Sequence, residues 1–299
     1  MVQRTANQTD SAPAEQSNLL IGAGLMTLAF LMNTAQSSIS KVVRSELGGP
    51  QFALHVFSFA LLILLPIVVW RRGQDFKTSV LRLHLLRGLV GGIGFLLFFT
   101  SVQLVDLVNA TVVLNTAPIL IPLIAWLALG HEISRGLWVA IAIGFLGLIV
   151  VVQPSAALFH KPGILLALAG ALAGAIDFLM VRKLDESEPP LTQVLYYLLV
   201  GMVLAFAASI WRFHVPSPTA WLWMSGAAIA ILSFQFVLVQ AVSYAKPHQL
   251  GVFQYTSVIF SALMGWAFFN ETPGLLVMAG ILLICGGGVA AVLLGDEAG

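Results

Sequence analysis

The chain has 299 residues, of which 59% are hydrophobic and only 9% charged. A soluble domain carries about a quarter of its residues as charges, so this composition excludes a water-soluble globule and places the apolar side chains against lipid. A net charge of +1 gives no basic face for nucleic acid, and the single cysteine, Cys285, with no Cys/His cluster near it, leaves neither a disulfide nor a metal site.

Residues 1–17 are polar and lack the basic start, short apolar core and cleavage site of a signal peptide. They are expected to be a disordered cytoplasmic tail ahead of an uncleaved first helix. Ten segments then approach the roughly 20 apolar residues that a membrane-spanning helix needs: 18–39, 50–70, 81–102, 107–129, 133–152, 162–181, 190–211, 219–243, 247–269 and 273–295. Turn residues mark several of the short loops, among them Gly48-Gly49-Pro50, Pro189-Pro190 and Pro216-Ser217-Pro218. Runs such as Ala140–Val152 are apolar on every face, which fits helices and not the alternation of barrel strands.

Basic residues in the loops orient the chain. With the N-terminus cytoplasmic, nine lie inside (Arg4, Arg71, Arg72, Lys77, Arg82, Arg135, Arg182, Lys183 and Lys246) against four outside (Lys41, Arg44, Lys161 and Arg212). Ten spans then leave the C-terminus cytoplasmic as well.

A shift of 139 residues aligns the two halves without a gap. It sets Pro189 on Pro50, Gln254 on Asn115, Glu271 on Glu132 and Gly286 on Gly147. The halves are 18–152 and 162–295. Five helices is an odd number, so the second half enters from the opposite face. The expected fold is an all-α membrane protein of ten transmembrane helices in two five-helix inverted-topology repeats, an architecture of secondary transporters. One chain contains both halves of a path, so a monomer suffices.

The segments Pro118–Val152 and Ser257–Leu294, each an apolar stretch followed by Glu132 or Glu271 and a glycine-punctuated helix, resemble the end of each repeat of the EamA proteins in the drug/metabolite transporter superfamily. The resemblance implies a multi-pass exporter of amino acids or similar metabolites in the bacterial inner membrane, nearest to the aromatic amino-acid exporters. Export is implied by that resemblance alone.

Polar groups within the spans map the transport path, because hydrocarbon leaves them unpaired unless they meet each other or a water-filled cavity. Asn33, Gln36, Ser37 and Ser40 share one face of the first helix. Asn33 and Gln36 are read toward the cavity, and the serines as contacts between helices. Asp177 is the only acidic residue deep in a span, read as a coupling carboxylate or a partner for a substrate ammonium. Asn115 and Gln254 are symmetry mates able to bind a zwitterion. Thr100, Gln103, Gln235, Gln240 and Tyr255 complete the candidates.

Arg82, His84 and Arg87 are expected to snorkel to the cytoplasmic headgroups, and His55 to be a hydrogen-bonded interior histidine. Trp70, Trp211, Trp221 and Trp223 are expected to form an interfacial belt. Glu132 and Glu271 are expected in solvated loops as caps of the helices that follow. Phosphate-bearing substrates need buried cations, of which the spans hold only Arg87.

No HExxH zinc site, Walker loop or rhomboid serine motif is present, and an aspartyl protease needs a second deep carboxylate, so no enzyme class is indicated. Repeated selectivity-filter motifs of a channel are absent too. Drug-like cations or nucleosides remain as alternative substrates, and a channel or scaffold as a more distant one.

Overall fold

The computed structural model describes residues 11–129, 135–152, 161–244, 250 and 252–295. Among them the α-helices are α1 (Ser11–Val42), α2 (Gly49–Trp70), α3 (Leu81–Leu104), α4 (Leu107–Leu114), α5 (Ala117–Leu129), α6 (Arg135–Val152), α7 (Pro162–Asp185), α8 (Pro190–Ser209), α9 (Pro218–Val242), α10 (Thr256–Phe269) and α11 (Leu275–Gly295). These helices supply the ten expected spans, with α4 and α5 sharing the fourth. The first helix takes in residues 11–17, which hydropathy had left in the tail.

The helix starts follow local chemistry. Proline stands in the first turn of α2, α7, α8 and α9, where its missing N–H costs no hydrogen bond. Ser217 caps α9 by accepting from the Ala220 N–H at 3.2 Å. The turn after α2 passes through Gly73, whose φ of +67° suits a residue without a β-carbon.

Antiparallel packing gives the bundle two ends. At the first, the turn around Phe76 meets the start of α8 through Thr78 Oγ1 donating to Glu188 at 2.7 Å and Tyr196 Oη donating to the Phe76 carbonyl at 2.8 Å. The 43–48, 105–106 and 270–274 connections lie at the second.

The inverted repeat is visible in which helices touch. Helix α1 lies along α9, and its two-fold mate is α7 along α3. Mates also meet across the axis: α2 with α8, α4 with α10, and α6 with α11. Small residues allow the last of these to close. A β-carbon on Gly287 would lie 2.7 Å from the Gly144 nitrogen, and one on Gly147 would lie 2.8 Å from the Gly280 carbonyl.

One feature was hidden in the hydropathy pattern. The span expected over 107–129 is broken: α4 ends at Leu114, Asn115 and Thr116 form a turn, and α5 starts at Ala117. In the second repeat a 3₁₀ turn over Val252–Tyr255 precedes α10. The 139-residue shift carries Asn115-Thr116 onto Gln254-Tyr255, so the two interruptions coincide. Discontinuous helices in matching places of inverted repeats are where such transporters build their sites.

Candidate functional site

A cavity of about 120 Å³ lies between the repeats. Its apolar wall comes from Phe30 of α1, Phe95, Phe98 and Phe99 of α3, Phe178 of α7 and Phe234 of α9. Its polar groups are Asn33, Asp177, Tyr197, Gln235 and Gln254. Both interrupted spans contribute, through Leu114 and Ala117 in the first repeat and Gln254 in the second.

Glycines bring Asp177 to that wall. A β-carbon on Gly91 would sit 2.7 Å from Asp177 Oδ1 and 2.6 Å from Tyr197 Cε2, and one on Gly92 would sit 3.2 Å from the Gly201 Cα. Three helices thus approach more closely than larger side chains would permit.

Arg87 of α3 takes part in the same contact. The expectation that it snorkels to the headgroups is corrected: it is 1% exposed and turned inward. Its Nε donates to Asp177 Oδ1 at 3.2 Å, Nη1 to the Gln193 carbonyl at 3.1 Å and Nη2 to Gln235 Oε1 at 3.0 Å. The Tyr197 ring lies 5.2 Å from Cζ. The reason is steric and electrostatic together. Gly88 and Gly91 let α7 and α8 approach α3 closely, which brings the Asp177 carboxylate and the Gln193 carbonyl within reach of Arg87, and Gln235 of α9 adds its amide oxygen. A guanidinium whose three nitrogens each meet an oxygen finds better partners there than at the membrane surface.

Asp177 is left half-used. Arg87 binds its Oδ1, and no hydrogen bond from the described residues goes to Oδ2. Its side chain keeps 13% exposure, within the cavity.

The remaining candidates divide. Asn33, Gln235 and Gln254 face the cavity. Gln36, one turn beyond Asn33, is fully buried, and neither amide atom finds a partner among the described residues. Asn115 Nδ2 donates to the Thr111 carbonyl and to Ser257 Oγ, each at 2.8 Å, tying α4 to α10. Thr100 donates to the Leu96 carbonyl of its own helix at 2.7 Å, and Gln103 donates to Ser40 Oγ at 3.2 Å. Tyr255 is buried in an apolar cluster with Val108, Val112 and Ile284. Gln240 is exposed on the outside of the bundle, away from the cavity, because it follows Gln235 by five residues and so points to another face of α9.

The other expectations also divide. His84 does not snorkel either: it is buried, 3.4 Å from a Glu188 carboxylate oxygen and stacked on Tyr196, whereas Arg82 is exposed. His55 Nδ1 bonds to the Gln51 carbonyl at 2.7 Å. Trp70 and Trp211 stand outward at helix ends, 83% and 91% exposed.

Glu271 does not cap the helix after it. Its Oε2 accepts from the Leu107 N–H at 3.0 Å, at the start of α4, and its Oε1 pairs with Lys41 of α1. Lys41 also donates to the Val105 carbonyl at 3.0 Å. Asn270, with φ of +58°, closes α10 and turns the chain so that Glu271 points back. Glu132 lies outside the described residues.

Sequence reasoning missed Arg87 as a site residue, and Tyr197 and the phenylalanines with it. One signal was available: Arg87 is the only basic residue deep in a span, as Asp177 is the only acidic one.

Known proteins agree with this architecture. The chain matches the EamA-like transporter family over residues 20–153 and again over 161–293, one match per repeat. It is 26% identical to an S-adenosylmethionine uptake transporter of Rickettsia bellii, over 88% of this chain and 90% of that one. It is 26% identical to a riboflavin transporter of Vibrio cholerae, over 85% and 87%. It is 25% identical to a pseudopaline exporter of Pseudomonas aeruginosa, over 88% and 93%. A solved crystal structure superposes with a TM-score of 0.67 over 94% of this chain and 98% of the other, at 18% identity, and shows the same fold. With both repeats matched and a cavity between them, the chain belongs to the EamA-like transporter family and is a multi-pass membrane transporter of small metabolites.

Proposed function

We propose that the protein exports small zwitterionic metabolites, aromatic amino acids foremost, across the bacterial inner membrane by alternating access. The observation that carries this reading is the cavity itself. Six phenylalanines line it, and so do three amides and a carboxylate with one oxygen unclaimed among the described residues. An aromatic side chain packs on the former. The ammonium of an amino acid meets Asp177, and its carboxylate meets the amide donors of Asn33 and Gln254. S-adenosylmethionine, named for several relatives, shares with an aromatic amino acid the α-ammonium and carboxylate head and a planar ring system, and adds a sulfonium charge between them.

The bias of basic residues puts the first end, with Arg71, Arg72, Arg182 and Lys183, in the cytoplasm, together with both termini. The Lys41–Glu271 pair then stands on the outer side, joining the two repeats there. Rocking the repeats about the α2–α8 and α6–α11 contacts opens one end as the other closes.

The test is counterflow in proteoliposomes with labelled aromatic, small neutral, basic and acidic amino acids, wild type beside Asp177→Asn. Saturable exchange of aromatic members, lost in the variant, supports the reading. Exchange of S-adenosylmethionine or riboflavin with no amino acid carried would overturn the amino-acid assignment and leave the carrier.

A further inference from the structure

The site contains a charge that no ligand can touch. Arg87 is fully buried, does not line the cavity, and has each of its hydrogen bonds directed into the second repeat. An ion pair in the interior of a membrane protein needs a reason, since buried pairs add little or nothing to stability over apolar packing.

The fold supplies a control. The two-fold carries Asp177 onto Ser38 and Arg87 onto Gly226, and the α3–α7 contact onto α9–α1. That mate is built without charges. Ser38 Oγ bonds to the Thr34 carbonyl of its own helix at 3.0 Å, and a β-carbon on Gly226 would meet only Ile39 at 3.7 Å. The architecture therefore does not require the pair. It occurs once, on the wall where a carboxylate oxygen opens into the cavity.

We propose that Arg87 is a specificity-determining residue acting through Asp177: its buried charge makes the empty site neutral, so the carrier accepts zwitterions and refuses the amine or the acid of the same shape. This rests on the amino-acid reading above and deepens it. Arg87 positions Asp177 by holding Oδ1, which turns Oδ2 to the cavity. A ligand ammonium placed there becomes the second cation beside one carboxylate. In a low-dielectric site that surplus is uncompensated unless the ligand brings its own anion. A zwitterion does, and a plain amine does not. An acid without an amine offers Asp177 only repulsion.

The experiment compares three probes of one shape in the same proteoliposomes: phenylalanine, phenethylamine and 3-phenylpropionate. Wild type is expected to exchange phenylalanine at least about tenfold better than either analogue, the scale of one unpaired buried charge discounted for partial solvation. Arg87→Gln makes the site net negative, and the order of phenylalanine and phenethylamine reverses. Asp177→Asn makes it net positive, and 3-phenylpropionate gains on both. Arg87→Lys keeps the charge and keeps the wild-type order, though with lower affinity.

A merely structural clasp predicts something else. All three probes would fall together in Arg87→Gln with their ratios unchanged, and that result overturns the proposal. If Arg87→Gln does not accumulate as folded protein, the Asp177→Asn ratios decide in the same way. If wild type exchanges none of the three, the amino-acid reading fails first. If it carries phenylalanine and the variants leave the ratios alone, only the charge rule fails.

Discussion

Among the described residues, one lysine and one arginine pair with a carboxylate of the other repeat, and the two pairs differ in what they leave unused. Lys41–Glu271 lies at one end of the bundle, and both of its carboxylate oxygens have partners. One Glu271 oxygen takes Lys41, the other takes the Leu107 N–H, and Lys41 adds the Val105 carbonyl. Arg87–Asp177 lies inside, and while each nitrogen of Arg87 has an acceptor, Asp177 has one oxygen without a donor among the described residues. A pair whose carboxylate oxygens both have protein partners holds elements together. A pair with a vacancy on a cavity holds elements together and also presents a site. Charge alone does not distinguish them, since each joins one basic and one acidic side chain that are largely buried.

The largest effect expected from this contrast is at Asp177. Asp177→Asn leaves Arg87 buried without its counter-ion, a loss on the order of 3 kcal/mol. Phenylalanine counterflow should fall roughly 100-fold. An Asp177→Asn protein that exchanges phenylalanine at the wild-type rate would reduce both pairs to the same structural role.

Next in size is Gly91→Ala. The added methyl would lie 2.6 Å from Tyr197 and 2.7 Å from Asp177 Oδ1, so the carboxylate must shift. Overpacking of this kind costs about 1–3 kcal/mol, and exchange should weaken about tenfold, mainly as a raised KM. Gly24→Ala is the control, because its β-carbon would meet nothing within 4 Å. Equal effects at the two glycines would remove close packing as the cause.

Lys41→Met tests the end pair. Glu271 keeps the Leu107 N–H and lies at a helix end where water can reach its 14%-exposed side chain. The cost to thermal stability should be about 1–2 kcal/mol, read as a lower unfolding temperature in detergent. Preference among phenylalanine, phenethylamine and 3-phenylpropionate should not change. A change in preference would make the end pair part of the recognition site after all.

Much of this arrangement was legible in the sequence, and the limit falls where partners must be known. Hydropathy located the spans because each must cover the same hydrocarbon thickness, and the 139-residue shift paired the repeats. Asp177, Asn33, Gln235 and Gln254, which line the cavity, stood out in the sequence because a polar group in a span is rare enough to notice. Arg87 was misread for a physical reason. It lies six residues into α3, about 9 Å of helix rise, within the reach of an arginine side chain from either the headgroups or the interior. Only the oxygens on α7, α8 and α9, ninety or more residues away in sequence, decide between them. The break at Asn115 was hidden because hydropathy averages over a turn as short as two residues. Gln240 looked equivalent to Gln235, and about two fifths of a helical rotation beyond a full turn separates the cavity from the exposed outer face of α9.

The smallest effect belongs to the uncharged mate of the site. Ser38→Ala removes a hydroxyl that bonds to a carbonyl of its own helix and touches Met264 Sδ at 3.1 Å. That carbonyl already serves the helix ladder, so the loss is about 0.5 kcal/mol, and phenylalanine exchange should stay within about twofold of wild type. The value of so small a change lies in its position. Ser38 holds in the first repeat the place that Asp177 holds in the second. If rocking depended on matched polar groups in both walls, Ser38→Ala would damage exchange as Asp177→Asn does. Near-silence at Ser38 would mean that the two-fold governs how the helices pack and move, while recognition was placed on one wall only, so that a ligand enters the symmetric cavity with a single orientation and its ammonium toward α7.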